Sequence, residues 1–117
     1  MKAILVDSKN QTVTEIEINN YKEIYSHLGE ECRTFEAPVS LPNNDTFYVD
    51  EEGLYHTCEG GWKMKNFNQP ILGNAVIQGT NINTGESIDV KSTVDEIKKM
   101  IIWVSKIECR LFADQFN

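Results

Sequence analysis

His56 and Cys58 are the pair in this 117-residue chain best placed to do covalent chemistry. Two positions apart on a strand, they would share one face, where an imidazole base can draw the proton from a thiol nucleophile. The competing reading is packing, since no run of basic residues nearby would lower the thiol pKa. Adding His27 and Cys32 gives four zinc-type ligands, but the spacings His-x4-Cys and His-x-Cys match no common structural finger. Asp50, Glu51 and Glu52 are oxygen donors without the alternating spacing of a calcium loop. They are read as a solvated hairpin tip and a contact face for a basic partner protein. No catalytic residue, metal site or cofactor is expected, and a small enzyme using His56 and Cys58 is the minority alternative.

The segment from Gly60 to Phe67 suggests ligand binding instead. Gly60 and Gly61 would let backbone N–H groups approach a ligand, Trp62 offers a stacking face, and Lys63 and Lys65 are bases in an acidic neighbourhood. That set suits an anionic, planar, nucleotide-like ligand. The alternative is that Trp62 and Phe67 plug the core beneath a surface loop, with both lysines solvated. No Walker loop, Gly-x-Gly-x-x-Gly or Gly-x-Ser-x-Gly occurs, which removes the usual nucleotide and hydrolase signatures.

Charge narrows the partners. The formal net charge is −7 at pH 7. Residues 1–60 carry twelve acids against Lys2, Lys9, Lys22 and Arg33, a net of −8, while residues 61–117 carry six acids against seven bases, a net of +1. Direct duplex DNA binding is disfavoured, because affinity there rests on Lys and Arg neutralising phosphates. An acidic face can instead meet a basic protein or mimic a phosphate backbone. The apolar runs, such as Ala3 to Val6, are far short of the ~20 residues that span a bilayer. An odd set of cysteines, Cys32, Cys58 and Cys109, without a Cys-x-x-Cys pair, fits reduced thiols and a cytoplasmic setting.

Hydrophobic residues at 40% and charged residues at 25% describe one folded domain over residues 1–117. Ala3 to Val6 and Thr12 to Ile18 read as an N-terminal hairpin. Asn20 and Glu23 open a short helix near residues 20–29, with Gly29 as its stop. Cys32 to Ala37 is a further strand and Pro38 to Asn44 a loop. Thr46 to Val49 and Leu54 to Cys58 flank Asp50-Glu51-Glu52-Gly53 as a second hairpin. Glu59 to Pro70 is a loop, Asn74 to Gln78 and Ser87 to Val90 are strands, and Ser92 with Asp95 caps a long helix running to about Ala113. The strand-like alternation of Ile107, Cys109 and Leu111 leaves residues 106–112 open. The fold class is α+β: a mainly antiparallel sheet built from hairpins, with a longer C-terminal helix packed on one face.

The opening Met1-Lys2-Ala3-Ile4-Leu5-Val6, the helix after it, Val49-Asp50-Glu51-Glu52-Gly53-Leu54 and above all Gln69-Pro70-Ile71-Leu72-Gly73-Asn74-Ala75-Val76-Ile77-Gln78-Gly79 carry a likeness. Over residues 1–105 the chain resembles an uncharacterised family of phage and plasmid proteins, domain of unknown function 3846. The resemblance implies a mobile-element accessory protein and carries no catalytic residues. It makes non-enzymatic binding the leading expectation: an inhibitor of bacterial antiviral defence that binds a host protein or sequesters a nucleotide signal. A DNA mimic is the first alternative, and a homo-oligomer is compatible with either.

Overall fold

Strand β1 (Lys2–Asp7) pairs antiparallel with β2 (Thr12–Glu17), the polar turn between them closing the expected hairpin. The structure is a computed structural model that describes residues 1–116. Helix α1 (Lys22–Leu28) follows and stops at Gly29, whose φ of 131° ends the helical path. Its entry is held by Asn20, whose Oδ1 accepts from the Lys22 N–H, and by Glu23, whose carboxylate accepts from the Asn19 N–H. Strands β3 (Phe35–Ser40), β4 (Asp45–Asp50) and β7 (Ala75–Thr80) complete the main sheet in the order β2-β1-β7-β4-β3, with the short β8 (Ser87–Ile88) on β7. A second sheet has the order β6-β5-β9, from β5 (Gly61–Met64), β6 (Ile71–Leu72) and β9 (Ile101–Val104). Every strand pairing among the described residues is antiparallel, and the fold is α+β.

Period two along β1 and β7 divides the core. Ile4, Val6, Ala75 and Ile77 face one side, where Phe47, Trp62 and Ile97 join them. Ala3 and Val76 face the other, where Ile24 and Leu28 of α1 cover them together with Ile18 and Cys32. Burying those two α1 side chains contributes roughly 1.5–3 kcal/mol each, more than a seven-residue helix can supply by itself. The main sheet is therefore buried on both faces, by α1 on one and by the second sheet with α2 (Val94–Met100) on the other.

Three expectations are corrected. The Thr46–Val49 strand exists, but Leu54 to Cys58 does not return beside it. Both edges of β4 are already taken, by β3 and β7, so the returning run has no edge to pair with. The Asp50 side chain accepts from the Glu52 N–H at 2.9 Å, and the chain turns into a 3₁₀ turn at Gly53–Tyr55. Pro38, expected to begin a loop, sits inside β3 where the pairing slips between Glu36 and Val39, the position in a strand that tolerates a missing N–H.

The third correction concerns residues 93–113. Helix α2 ends at Met100, four residues form β9, and α3 (Lys106–Asp114) follows, so residues 106–112 are helical. The β-branched run at Ile101, Ile102 and Val104 favours the strand, and pairing Trp103 against Trp62 outweighs the helical spacing of Val94, Ile97, Ile101 and Val104. The caps lie one residue from the expected ones or were unforeseen. Thr93 and Glu96 form the reciprocal box at α2, and Ser105 accepts from the Glu108 N–H at α3.

Asp45, counted above within the acidic half, is fully buried. Its carboxyl oxygens accept from the backbone N–H of Lys91 at 3.0 Å and of Ser92 at 2.7 Å, fixing the approach to α2 onto β4. Replacing Asp45 by Ala leaves those donors without acceptors, and we expect a loss of about 3 kcal/mol in urea unfolding. Asp45→Asn, which keeps one acceptor, should lose less.

Candidate functional site

A concavity of about 480 Å³ opens where α1, the end of β4 and the 3₁₀ turn converge. Asp50 closes β4 and His56 leaves the turn, and the two meet through Asp50 Oδ2 and His56 Nδ1 at 2.5 Å. Their side chains are 10% and 20% exposed, so the pair forms part of the wall and is not a solvated tip. The hydrogen bond to Asp50 raises the His56 pKa above the ordinary imidazole value; burial opposes it, and the charges of Asp50 and Glu31 add to it. Glu31 reaches across the opening, both carboxylate oxygens 3.2 Å from the Thr57 N–H, and its pKa is lowered by Thr57, first by the side chain and then by this backbone contact, against burial. Two cysteines line the same space. Burial and the neighbouring Asp50 charge push the Cys32 thiol up to about 11, and it donates to the Thr34 carbonyl. Cys58 is shifted the other way, first by the neighbouring Cys109 side chain; burial opposes this, and the Gly60 backbone supports it.

The far wall is built from the Pro-x-x-Gly-Asn stretch. Gly73 takes a φ of 92°, and its N–H donates to the Gly60 carbonyl at 2.9 Å. Asn74 accepts from the Ser8 N–H through Oδ1 and donates to the His27 carbonyl through Nδ2, each at 2.9 Å. The Ser8 hydroxyl donates to the Gly73 carbonyl. The β1–β2 turn, the last turn of α1 and the β6–β7 connection are thus held by one amide and one hydroxyl. No sequence signal assigned Asn74 this role, although it lies in the most specific stretch of the family likeness.

The residues expected to bind a planar anion are dispersed. Gly60, Gly61 and Trp62 are buried, and residues 61–64 form β5 in place of the expected loop. Trp62 lies in the main core with its ring 5.5 Å from Phe47, so it offers no stacking face. Its indole N–H has no hydrogen-bond partner among the described residues. The glycines serve packing: a Cβ on Gly60 would stand 2.8 Å from the Ser8 carbonyl oxygen, and one on Gly61 2.5 Å from that of Ile71 and 2.8 Å from Cys109 Sγ. Strand alternation sends Lys63 to the face opposite Trp62, where it lines a shallow surface depression, and Lys65 is exposed. Phe67, offered as a core plug, is exposed. Of the acidic trio, Asp50 enters the cleft while Glu51 and Glu52 remain on the surface.

His56 and Cys58 do line one cleft, though on irregular chain and not on a strand. No hydrogen bond joins them among the described residues: His56 is engaged by Asp50, and Cys58 Sγ lies 3.3 Å from the Gly60 carbonyl. No group of three or more His, Cys, Asp or Glu is arranged to hold a metal ion among the described residues. No helix among them is long and apolar enough to cross a membrane.

Fold and site together define a small α+β domain with an acidic cleft walled by a histidine–carboxylate pair and two cysteines. The chain belongs to the family described as a domain of unknown function, DUF3846, which matches residues 1–102. No curated protein and no solved structure matches it.

Two outcomes test this description. Because folding raises the His56 pKa, its contribution to stability is present in full below the unfolded value of about 6.5 and is lost as pH rises through the folded value. The stability gap between the natural protein and His56→Gln, read by urea unfolding, should therefore be widest near pH ~6 and shrink towards pH ~9. For the core, Trp62→Ala should cost about 3–5 kcal/mol. Trp62→Phe, which removes the unpaired donor along with part of the ring, should cost distinctly less.

Proposed function

We propose that this protein is a non-enzymatic binding module and that the cleft receives a basic side chain of a protein partner. The observation that carries this reading is the charge around the cavity: Glu30, Glu31, Asp50 and Glu59 stand against Lys9 and the Asp50-paired His56. A concave surface lined by one sign of charge concentrates the field inside it, which draws in lysine or arginine and repels phosphate. Sequestration of a nucleotide signal loses its support, because its stacking ring is in the core. A basic protein partner keeps its support. The likeness to phage and plasmid proteins makes that partner a host protein met in the host cytoplasm, with inhibition of antiviral defence as the consequence.

The enzyme alternative gains one observation and lacks another. Cys58, His56 and Asp50 line a common cleft, but among the described residues the sulfur hydrogen-bonds to the Gly60 carbonyl and not to the imidazole. DNA mimicry needs carboxylates spaced along an open surface, and Asp45 and Asp50 are withdrawn from that surface.

Titrating isotope-labelled protein with a short lysine- and arginine-rich peptide should shift backbone resonances at residues 28–32, 50–59 and 72–73. The effect should fade as salt approaches ~0.2 M, where exposed charges are screened beyond about 8 Å. Glu30→Lys with Glu59→Gln should weaken it while leaving the Glu31–Thr57 contact and the fold intact. Shifts confined to another face, or ATP displacing the peptide from these residues, would sink the reading.

A further inference from the structure

Cys58 and Cys109 come from opposite sides of one seam. Cys58 follows the 3₁₀ turn and is half-buried at the cleft wall, whereas Cys109 lies on the inner face of α3 and is fully buried. They share a small cluster with Leu72, Val104, Leu54 and Phe112, and both sulfurs sit against the same Gly60–Gly61 backbone, Cys58 Sγ being 3.3 Å from the Gly60 carbonyl. Gly61 makes room for this approach, since a Cβ there would collide with Cys109 Sγ. A second link crosses the same seam, from Lys106 Nζ to Glu59 Oε2 at 3.4 Å. Two thiols packed into one cluster, one open to the cleft and the other sealed behind it, are arranged as an attacking and a resolving pair.

We propose that Cys58 and Cys109 form a reversible disulfide that fastens α3 to the segment lining the cleft, with a low-molecular-weight disulfide as oxidant. The Cys58 thiolate attacks one sulfur of oxidised glutathione, breaking its S–S bond and releasing one glutathione thiolate. The Cys109 thiol then gives up its proton, and its sulfur attacks the Cys58 sulfur of the mixed disulfide. That step breaks the second S–S bond and releases the second glutathione. Two protein thiols are oxidised and one glutathione disulfide is reduced to two thiols. The lowered Cys58 pKa favours the thiolate that begins the sequence. Cys32 is the internal contrast: it sits in the separate cluster under α1, apart from the one that holds Cys58 and Cys109.

The test is to incubate the folded full-length chain with oxidised glutathione, alkylate the remaining thiols and count them by mass spectrometry. The three free thiols should fall to one, with peptides containing Cys58 and Cys109 linked and Cys32 alkylated. Cys109→Ser should accumulate a single glutathione on Cys58, because nothing resolves it. Cys58→Ser, a change at a half-exposed position, should keep both remaining thiols unmodified. A natural protein that retains three free thiols, or that stops at a stable glutathione adduct, would overturn the proposal. So would a link that includes Cys32, or a bridge-free Cys58→Ser variant that takes up glutathione as fast as the natural chain.

Discussion

The side chain of Asn74 holds three separate segments in register. One carboxamide offers an acceptor and a donor pointing in different directions, and here they go to the Ser8 N–H and the His27 carbonyl. Neither partner belongs to the sheet ladder, so these bonds place α1 and the β1–β2 turn relative to β7 in a way the ladder cannot. Gly73 makes the geometry possible by taking a positive φ just before Asn74, which lets its carbonyl meet the Ser8 hydroxyl. Leu in place of Asn74 would match its bulk but leave a buried N–H and a carbonyl unanswered, and the wall of the cleft would be free to spread.

The cleft follows from how the chain leaves β4. With both edges of that strand paired, the residues after Asp50 have no sheet to join, and they fold into an irregular wall whose own backbone bonds are few. Side chains take over the work: Asp50 holds His56, and Glu31 holds the Thr57 N–H. A wall built by carboxylates necessarily carries negative charge, so its construction and its preference for cations have the same origin. Local openings are easier in such a wall than in the ladder, since breaking two side-chain contacts releases it.

Much of the scaffold was legible in the sequence. The β-prone run at residues 3–6, the alternation at 12–18 and the stop at Gly29 mark elements that lie where local pattern places them, because there the local preference and the tertiary environment agree. The C-terminal stretch was misread because Val94, Ile97, Ile101 and Val104 fit a helical stripe, while Ile101, Ile102 and Val104 also fit a strand. Only pairing with β5, forty residues earlier, decides between them. The site was harder still. Trp62 and its lysines look like a ligand loop because Gly-Gly and Lys disguise a four-residue strand. Asp45 and Asp50 look like surface acids because a count of charges carries no burial. Asp50 and His56 are six positions apart, a spacing with no motif attached, and what joins them is the turn between.

Trp62 and Trp103 are the two tryptophans of the chain, and they stand opposite each other in the β5–β9 register. One ring is sealed in the core and the other is half-buried, so the pair spans the boundary between a dry and a partly wetted environment. Indole emission from this protein therefore originates at a single seam, the one joining the second sheet to the element that leads into α3. The molecule carries its own optical gauge there: a rearrangement that parts β9 from β5 changes the surroundings of every indole at once, whereas motion confined to α1 or the β1–β2 turn leaves the signal dark.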